Sequence, residues 1–229
     1  MVIAKNLTKS YGKTQYLKGI SLHVKRGTAL AVAGENGAGK TTLLKILATA
    51  SKPDSGELSI GGIDALSEPA RARELIGYVP QGIALMQELS VRDNLRYWMK
   101  TQDEALYNWA LNLIDLKDVE KRRVSRLSGG MQRRLNIGAS LVLRPSLLIL
   151  DEPLAGVDIA NRRRIIEALI ALKRSGMTMI FTSHYLEEMQ LLADELIALR
   201  GGEVTYYGGM EFSDGRITSL SDAIRHYTA

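Results

Sequence analysis

Hydrophobic residues in this chain follow two kinds of spacing, and these predict strands in some places and helices in others. Near the N-terminus they form short β-rich runs, VIAKNLTKSY, ISLHV and TALAVAG, with turns predicted at Tyr11-Gly12 and Arg26-Gly27. After the third run, leucines recur at helical spacing in KTTLLKILAT. The beginning of the chain therefore predicts β-segments and then a strand, a glycine-rich turn and a helix.

The rest of the chain adds a helical stretch and then alternates between strand and helix. Two short strands, ELSI and IGYVPQ, come before apolar residues at helical spacing from Ser90 to about Leu116, which predict an inserted helical subdomain. After the helix MQRRLNIGASLVL, the order is strand LLIL, helix NRRRIIEALIALKRSG, strand MTMIFT, helix YLEEMQLLAD and strand ELIALR. Such alternation is typical of βαβ units, so we predict an α/β fold with a mostly parallel sheet and antiparallel N-terminal β-segments.

Composition narrows the function only slightly. The chain has 229 residues, 45% of them hydrophobic, and a net charge of +5, which suits ATP or acidic head groups without requiring nucleic acid. It has no cysteine, which excludes a disulfide framework and a thiolate metal site. Since no uncharged apolar run approaches the roughly 18 residues that cross a bilayer, we expect any membrane span to belong to another chain.

Residues 34–41 match the phosphate-binding pattern G-x-x-x-x-G-K-[ST], in the strand-to-helix setting that this motif needs. The glycines let backbone N–H groups converge on phosphate oxygens, Lys40 reaches the β- and γ-phosphates, and the Thr41 hydroxyl can bind Mg²⁺. The alternative is a chance glycine-rich turn, against which the flanking strand and helix argue. We therefore predict that ATP and Mg²⁺ bind at Gly34, Glu35, Asn36, Gly37, Ala38, Gly39, Lys40, Thr41 and Thr42.

Two adjacent carboxylates, Asp151 and Glu152, directly follow the apolar run LLIL. A strand buried on both faces ends in this way at its carboxyl edge, where α/β proteins bind ligands. Asp151 is then expected in the Mg²⁺ shell, and Glu152 beside a water that attacks the γ-phosphate. The alternative is that Asp151 merely caps a helix, but the phosphate loop favours the catalytic interpretation.

A second candidate anion site is the turn Ser128-Gly129-Gly130, in the sequence LSGGMQ. Ser128 can cap the following helix, and the glycines let N–H groups approach a phosphate; by itself such a turn is more often only a cap. Its place after the phosphate loop and before the acidic pair resembles the signature of ATP-binding-cassette (ABC) ATPases. This resemblance covers nearly the whole chain.

The resemblance implies roles for further residues. Tyr11 is similar to the aromatic residue that stacks on adenine, although an aromatic at a strand end is commonly core. Gln81 resembles the glutamine that binds Mg²⁺ and couples Mg-ATP to the helical subdomain, the alternative being a solvated amide. His184 resembles the switch histidine that contacts the γ-phosphate, whereas a lone histidine is more often incidental. Gly156 and Asp158 fall in the loop that meets a second subunit.

The family mechanism requires two subunits that close head to tail. Each ATP then lies between residues 34–42 of one chain and residues 128–130 of the other, with Glu152, His184 and Gln81 as the catalytic residues. The resemblance implies one ABC ATPase domain, residues 1–229, with a phosphate-loop core at 1–81 and 145–229 and a helical subdomain at 82–144.

The chain departs from the common family pattern at two positions, and the first departure favours one branch of the family. Met131 takes the place of a frequent glutamine, and Ala155 takes that of a hydroxyl residue, so any cross-dimer hydrogen bond from this side chain is lost. The sequence Met131-Gln132-Arg133-Arg134 resembles exporter-type members, and the short span between Gln81 and Ser128 agrees with this. The implied partners are transmembrane subunits, which dock at residues 82–88, and a second copy of the chain or another ABC ATPase. The implied location is peripheral, on the cytoplasmic face of a membrane. Arg162, Arg163 and Arg164 are interpreted as a solvated helix face, with no nucleic acid and no direct membrane insertion.

Two other functions compete with the transporter hypothesis. The first is a soluble ABC-type ATPase in DNA maintenance or translation, but the long coiled-coil insertion or second cassette usual in those relatives is missing. The second is a regulatory cassette without hydrolysis, which the presence of Lys40, Asp151, Glu152 and His184 disfavours.

Overall fold

The computed structural model describes residues 1–209. The elements are, in chain order, β1 (Val2–Tyr11), β2 (Thr14–Val24), β3 (Ala29–Gly34), α1 (Lys40–Leu47), β4 (Ser55–Ile60), β5 (Ile63–Asp64), α2 (Pro69–Arg73), β6 (Ile76–Val79), α3 (Val91–Trp98), α4 (Glu104–Leu113), α5 (Gly129–Leu141), β7 (Leu147–Leu150), α6 (Ile159–Arg174), β8 (Thr178–Thr182), α7 (Leu186–Leu192), β9 (Glu195–Arg200) and β10 (Glu203–Gly209).

These strands form two sheets. One is antiparallel, with the strand order β2-β1-β4-β5. The other has the order β10-β9-β3-β8-β7-β6, and only its β10–β9 pair is antiparallel. The predicted α/β fold, with a mostly parallel sheet and antiparallel N-terminal segments, is therefore confirmed.

The parallel sheet brings the carboxyl ends of four strands to one edge. Strands β3, β7 and β8 are buried at every position, which explains their near-continuous apolar sequences. Because β6, β3, β8 and β7 run in the same direction, the residues that follow them lie at the same, carboxyl edge. The phosphate loop, the acidic pair and the residues after β6 and β8 thus meet there.

The inserted helices have a hydrophobic cluster of their own. Residues of α3, α4 and α5 pack together there, with Val91, Leu95, Leu111 and Leu135 among the buried members. This cluster supports the division into a core and a helical subdomain at 82–144, which stays a proposal. The last part of the proposed core, residues 210–229, lies outside the described residues.

Some elements differ from the prediction. Strand β2 begins at Thr14, before the predicted run ISLHV, and β5, α2 and β10 were not predicted. Strand β10 alternates between exposed and half-buried positions, so it lacks the apolar signal of a buried strand. Among residues 1–209, none of the helices combines the length and the hydrophobicity that a bilayer crossing demands.

Candidate nucleotide site

The phosphate loop joins the end of β3 to the start of α1, as predicted. Gly39 adopts φ +102° at the N-cap of α1, and a side chain there would lie 2.6 Å from the carbonyl oxygen of Tyr16. Glycine is therefore required on both conformational and steric grounds. No side chain caps α1, so the first N–H groups of this helix are available to an anion from the loop side.

Lys40 is buried within the loop that precedes it. Its ammonium group donates hydrogen bonds to the carbonyl oxygens of Gly34, at 2.8 Å, and Glu35, at 3.0 Å. Burial lowers the pKa of Lys40, while the nearby carboxylates of Glu152 and Asp151 oppose this shift. The side chain is therefore a desolvated cation between the loop and the acidic pair, where its electrostatic attraction to a bound phosphate would be strong.

Asp151 is the centre of a buried hydrogen-bond relay. Its Oδ1 accepts hydrogen bonds from the hydroxyls of Thr41, at 3.3 Å, and Thr182, at 3.0 Å. Thr182 in turn accepts the backbone N–H of Glu152 at 2.8 Å. Asp151 caps no helix; Asp158 is the N-cap of α6 instead. The cap alternative for Asp151 is thereby excluded.

Glu152 is held by two predicted site residues. Gln81 Nε2 donates to Glu152 Oε2 at 2.9 Å, and His184 Nε2 lies 2.7 Å from Glu152 Oε1, within hydrogen-bond distance. The backbone of Glu152 has φ +49°, a left-handed conformation that costs a non-glycine residue about 1–2 kcal/mol. Such strain, fixed by the Thr182 bond, is typical of functional sites.

The oxygen atoms at this site fit a magnesium ion. Asp151 is 1% exposed, and its Oδ2 is buried with no hydrogen-bond partner in the described part of the chain. An unpaired buried carboxylate oxygen is costly unless a cation or water satisfies it. The Thr41 hydroxyl lies 3.3 Å from the other oxygen of this carboxylate, Oδ1, and Mg²⁺ typically takes few protein oxygens together with substrate phosphates.

The turn at residues 128–130 lies at the start of α5. Ser128 caps α5 by accepting the N–H of Met131 at 3.3 Å. Among the hydrogen bonds and ion pairs of residues 1–209, none joins this turn to the phosphate loop. The turn packs instead on the start of α6, where Asp158 binds Asn161. The two-subunit site stays a prediction.

Gly130→Ala is expected to lower the free energy of unfolding by about 1–3 kcal/mol, the usual cost of overpacking. The added methyl would lie 2.5–2.6 Å from the side chain of Asn161, which is held by Asp158. Urea denaturation measures the change. The matched control is Gly129→Ala, whose methyl meets nothing within 4 Å. Equal stability of the two variants would contradict this close packing.

Tyr11 lies at the end of β1 with nearly half of its surface exposed, so it is not a core residue. Its ring meets that of Tyr16 edge-on, with centroids 5.5 Å apart, and the Tyr16 backbone backs Gly39 of the phosphate loop. Tyr11 is thus an exposed aromatic whose neighbour Tyr16 lies against the loop, and its stacking on adenine stays a prediction.

Three contributors were missed by sequence reasoning. Thr182 is a plain strand residue in the sequence, and its relay to Asp151 follows only from the strand order. Arg133 is buried and bonded to the backbone at Gln81. The sequence signal for Arg133 was its position four residues before Ile137, which places a charged side chain on the buried side of the predicted helix. Arg162 was wrongly placed on a solvated face: it pairs with buried Glu188 at 3.6 Å, whereas Arg163 is exposed.

Residues 17–155 match the family model described as ABC transporter. The chain is 41% identical to the linearmycin resistance ATP-binding protein LnrL of Bacillus subtilis, over 91% of this chain and 69% of that protein. It is 38% identical to the daunorubicin resistance ATP-binding protein DrrA3 of Streptomyces coeruleorubidus, over 87% and 65%. Further relatives include a Nod factor export protein and a Fe(3+) ions import protein. The chain thus spans about two thirds of the length of these relatives.

Solved structures of ATP-binding cassettes are also similar to this chain. The cassette MJ0796, in a dimeric post-hydrolysis state bound to ADP and Pi, is similar with a TM-score of 0.84 and 26% identity. The similarity covers 92% of this chain and 99% of that one.

Proposed function

Because this chain belongs to the ABC transporter family, we propose that it hydrolyses Mg-ATP to drive transport through separate transmembrane subunits. The observation that carries the proposal is the convergence of Lys40, Asp151, Glu152, Gln81 and His184 at one edge of the parallel sheet. The ATPase activity of the purified protein tests the proposal. Mg-dependent hydrolysis that Glu152→Gln abolishes supports the proposal, and hydrolysis at the parent rate in that variant contradicts it.

The proposed roles follow from charge and geometry. The N–H groups of residues 34–42 and Lys40 bind the phosphates, while Tyr11 packs against the adenine. Thr41 and Gln81 would hold Mg²⁺ directly, with Asp151 in its shell. When bound, this ion neutralises charge on the β- and γ-phosphates.

Glu152 orients and deprotonates the attacking water in this proposal. A carboxylate has about four acceptor positions, and Gln81 and His184 use one on each oxygen, so it can be held and still accept from water. His184 is also close enough to the base to hold the γ-phosphate and the water in one geometry.

The second half of each site comes from another cassette, either a second copy or a related chain. Among residues 1–209, no hydrogen bond or ion pair joins the turn at residues 128–130 to the phosphate loop, which supports this, as does the dimeric post-hydrolysis structure of MJ0796. Ser128, Gly129 and Gly130 of one chain then close over the γ-phosphate bound by the other. Hydrolysis removes the phosphate that holds the halves together, so the interface is the two-state element.

Export is the direction that we propose for transport, and the cytoplasmic face of a membrane is the proposed location. The Nod factor export relative, the two drug resistance relatives and the sequence Met131-Gln132-Arg133-Arg134 support export. The alternative of a DNA-maintenance or translation ATPase has no such support, and we do not propose nucleic acid as a partner.

We propose that residues 82–88 receive a cytoplasmic segment of the membrane subunit. Ile83 exposes 36% of its surface in this segment, and Leu85 packs against the helical cluster, so the segment is anchored on one side and open on the other. Ile83→Glu is expected to lower recovery of the chain with native membranes several-fold by placing a charge in an apolar contact. ATP affinity should not change. Membrane co-sedimentation and nucleotide titration measure the two quantities.

The matched control for this surface is Ile3→Glu. Ile3 is 42% exposed, comparable to Ile83, but lies on β1 in the antiparallel sheet. Equal membrane recovery of both variants and the parent would count against docking at residues 82–88.

A further inference from the structure

Arg133 joins the helical cluster to the nucleotide site. It lies on α5, is 5% exposed, and donates hydrogen bonds to the carbonyl oxygens of Pro80, at 3.0 Å, and Gln81, at 2.6 Å. These two residues directly follow β6, and Gln81 in turn binds Glu152. One buried guanidinium therefore fixes the backbone from which the Gln81 side chain projects.

The charge of Arg133 is costly in this position. Burial lowers its pKa, and the carboxylates of Glu152 and Asp151 oppose the shift. A buried ionic group is often no more stabilising than an apolar side chain of similar volume, so packing alone does not explain an arginine here. What the guanidinium supplies, and an apolar side chain cannot, is a rigid fork that binds two successive carbonyls and fixes their direction. Its charge also lies close enough to interact with the acidic pair.

The same helix carries the turn that faces a second nucleotide. Ser128 caps α5, and Arg133 comes about one and a half helical turns later. Asn136, on the next turn, binds the Gly82 carbonyl through Nδ2 at 3.4 Å and accepts the N–H of Ala84 through Oδ1 at 3.3 Å. Residues 80–84 are thus attached to α5 at two successive turns. A shift of the Ser128 turn would be passed to Gln81.

We propose that Arg133 is a positioning residue for hydrolysis, which sets Gln81 against Glu152 and couples this arrangement to the position of the turn at residues 128–130. The inference rests on the proposed function. It adds that occupancy of the partner's site, sensed by that turn, is transmitted to the chain's own site through Arg133. Because Arg133 makes no contact with residues 34–42 among the described hydrogen bonds, binding of the phosphates by this loop should not depend on it.

Arg133→Met tests the proposal in kinetics. We expect kcat to fall about 10- to 100-fold, as small misplacements of catalytic groups do, with KM for ATP within about 3-fold of the parent. Arg133→Lys should restore part of kcat because it keeps a donor but loses the fork. The matched control is Arg134→Met: Arg134 is 3% exposed on the same helix but donates to the carbonyls of Ile114 and Asp115, within the helical cluster.

A double-mutant cycle identifies the path. If Arg133 acts through Gln81, Arg133→Met lowers kcat much less in a Gln81→Ala background than in the parent, whereas independent effects multiply. A multiplicative result overturns the proposal. So does a loss of kcat that follows the loss of thermal stability equally in the Arg133 and Arg134 variants. If Arg133→Met does not fold, the same cycle with Arg133→Lys decides.

Dimerisation gives a readout without turnover. In a Glu152→Gln background, Arg133→Met should raise the ATP concentration for half-maximal dimer about 10-fold in sedimentation, because the turn at residues 128–130 is no longer fixed to the site. An unchanged concentration overturns the coupling. Failure of Glu152→Gln alone to dimerise would instead contradict the proposed function, so the two failures are distinguishable.

Discussion

Glu152→Gln is expected to lower the rate of ATP hydrolysis about 10²–10⁴-fold, the usual cost of losing a general base. The amide keeps the size of the side chain but cannot take a proton from water. The variant should still bind ATP, because Lys40 and the loop are unaltered, and should accumulate as a nucleotide-bound dimer. Phosphate release and sedimentation with ATP and Mg²⁺ measure the two effects.

The matched control is Glu187→Gln, the same chemical change on an exposed residue of α7, three positions after His184. It should hydrolyse ATP at nearly the parent rate. Turnover by Glu152→Gln at the parent rate would show that another group activates water. A Glu152→Gln variant that stays monomeric at saturating ATP would contradict the two-subunit site.

The parallel sheet could be predicted because its strands are buried on both faces. Runs such as LLIL and MTMIFT admit few alternatives when helices alternate with them. Strand β10 and the first half of β2 could not be predicted in this way. Their residues alternate between partly covered and exposed positions, and neighbouring strands rather than their own sequences hold them in place.

The site could be predicted where chemistry is contiguous in sequence. The loop at residues 34–42 and the pair Asp151-Glu152 can be recognised from the sequence, since the spacing of their residues has a local physical reason. Gln81 and His184 needed the family resemblance, because a single amide or imidazole after a strand carries no local signal. Thr182 was not predicted, although it contacts Asp151 and the Glu152 backbone. Its role depends on β8 lying beside β7, which is long-range information.

Arg162 shows why a run of charged residues does not predict that each of them is exposed to solvent. Three consecutive arginines on one helix point in different directions, about 100° apart, so they cannot share one environment. Arg163 projects into solvent, while Arg162 stacks on Tyr185, at 4.3 Å from the ring centroid, and pairs with Glu188. Glu188 also binds Ser183, the neighbour of His184. Helix α6 is thus linked to the loop that carries His184.

Lys40→Met is expected to weaken ATP binding about 30- to 1,000-fold, which corresponds to the roughly 2–4 kcal/mol lost when one partner of a buried charge pair is truncated. The ammonium group is already desolvated and bonded to the carbonyls of Gly34 and Glu35, so it is preorganised for phosphate. Fold stability should change little, because methionine fills similar volume and removes a cation that burial disfavours. Equilibrium binding of a fluorescent ATP analogue and thermal unfolding measure both.

Lys45→Met is the control, since Lys45 lies on the same helix but is exposed. It should bind ATP like the parent, and equal affinity in all three proteins would show that Lys40 does not contribute to ATP binding.

Combined with Glu152→Gln, the Lys40→Met variant also tests what holds the dimer together. If bound nucleotide is the bridge, Lys40→Met must abolish the ATP-dependent dimer of Glu152→Gln at ATP concentrations that saturate the single variant. A double variant that still dimerised there would show that the cassettes associate through protein contacts alone.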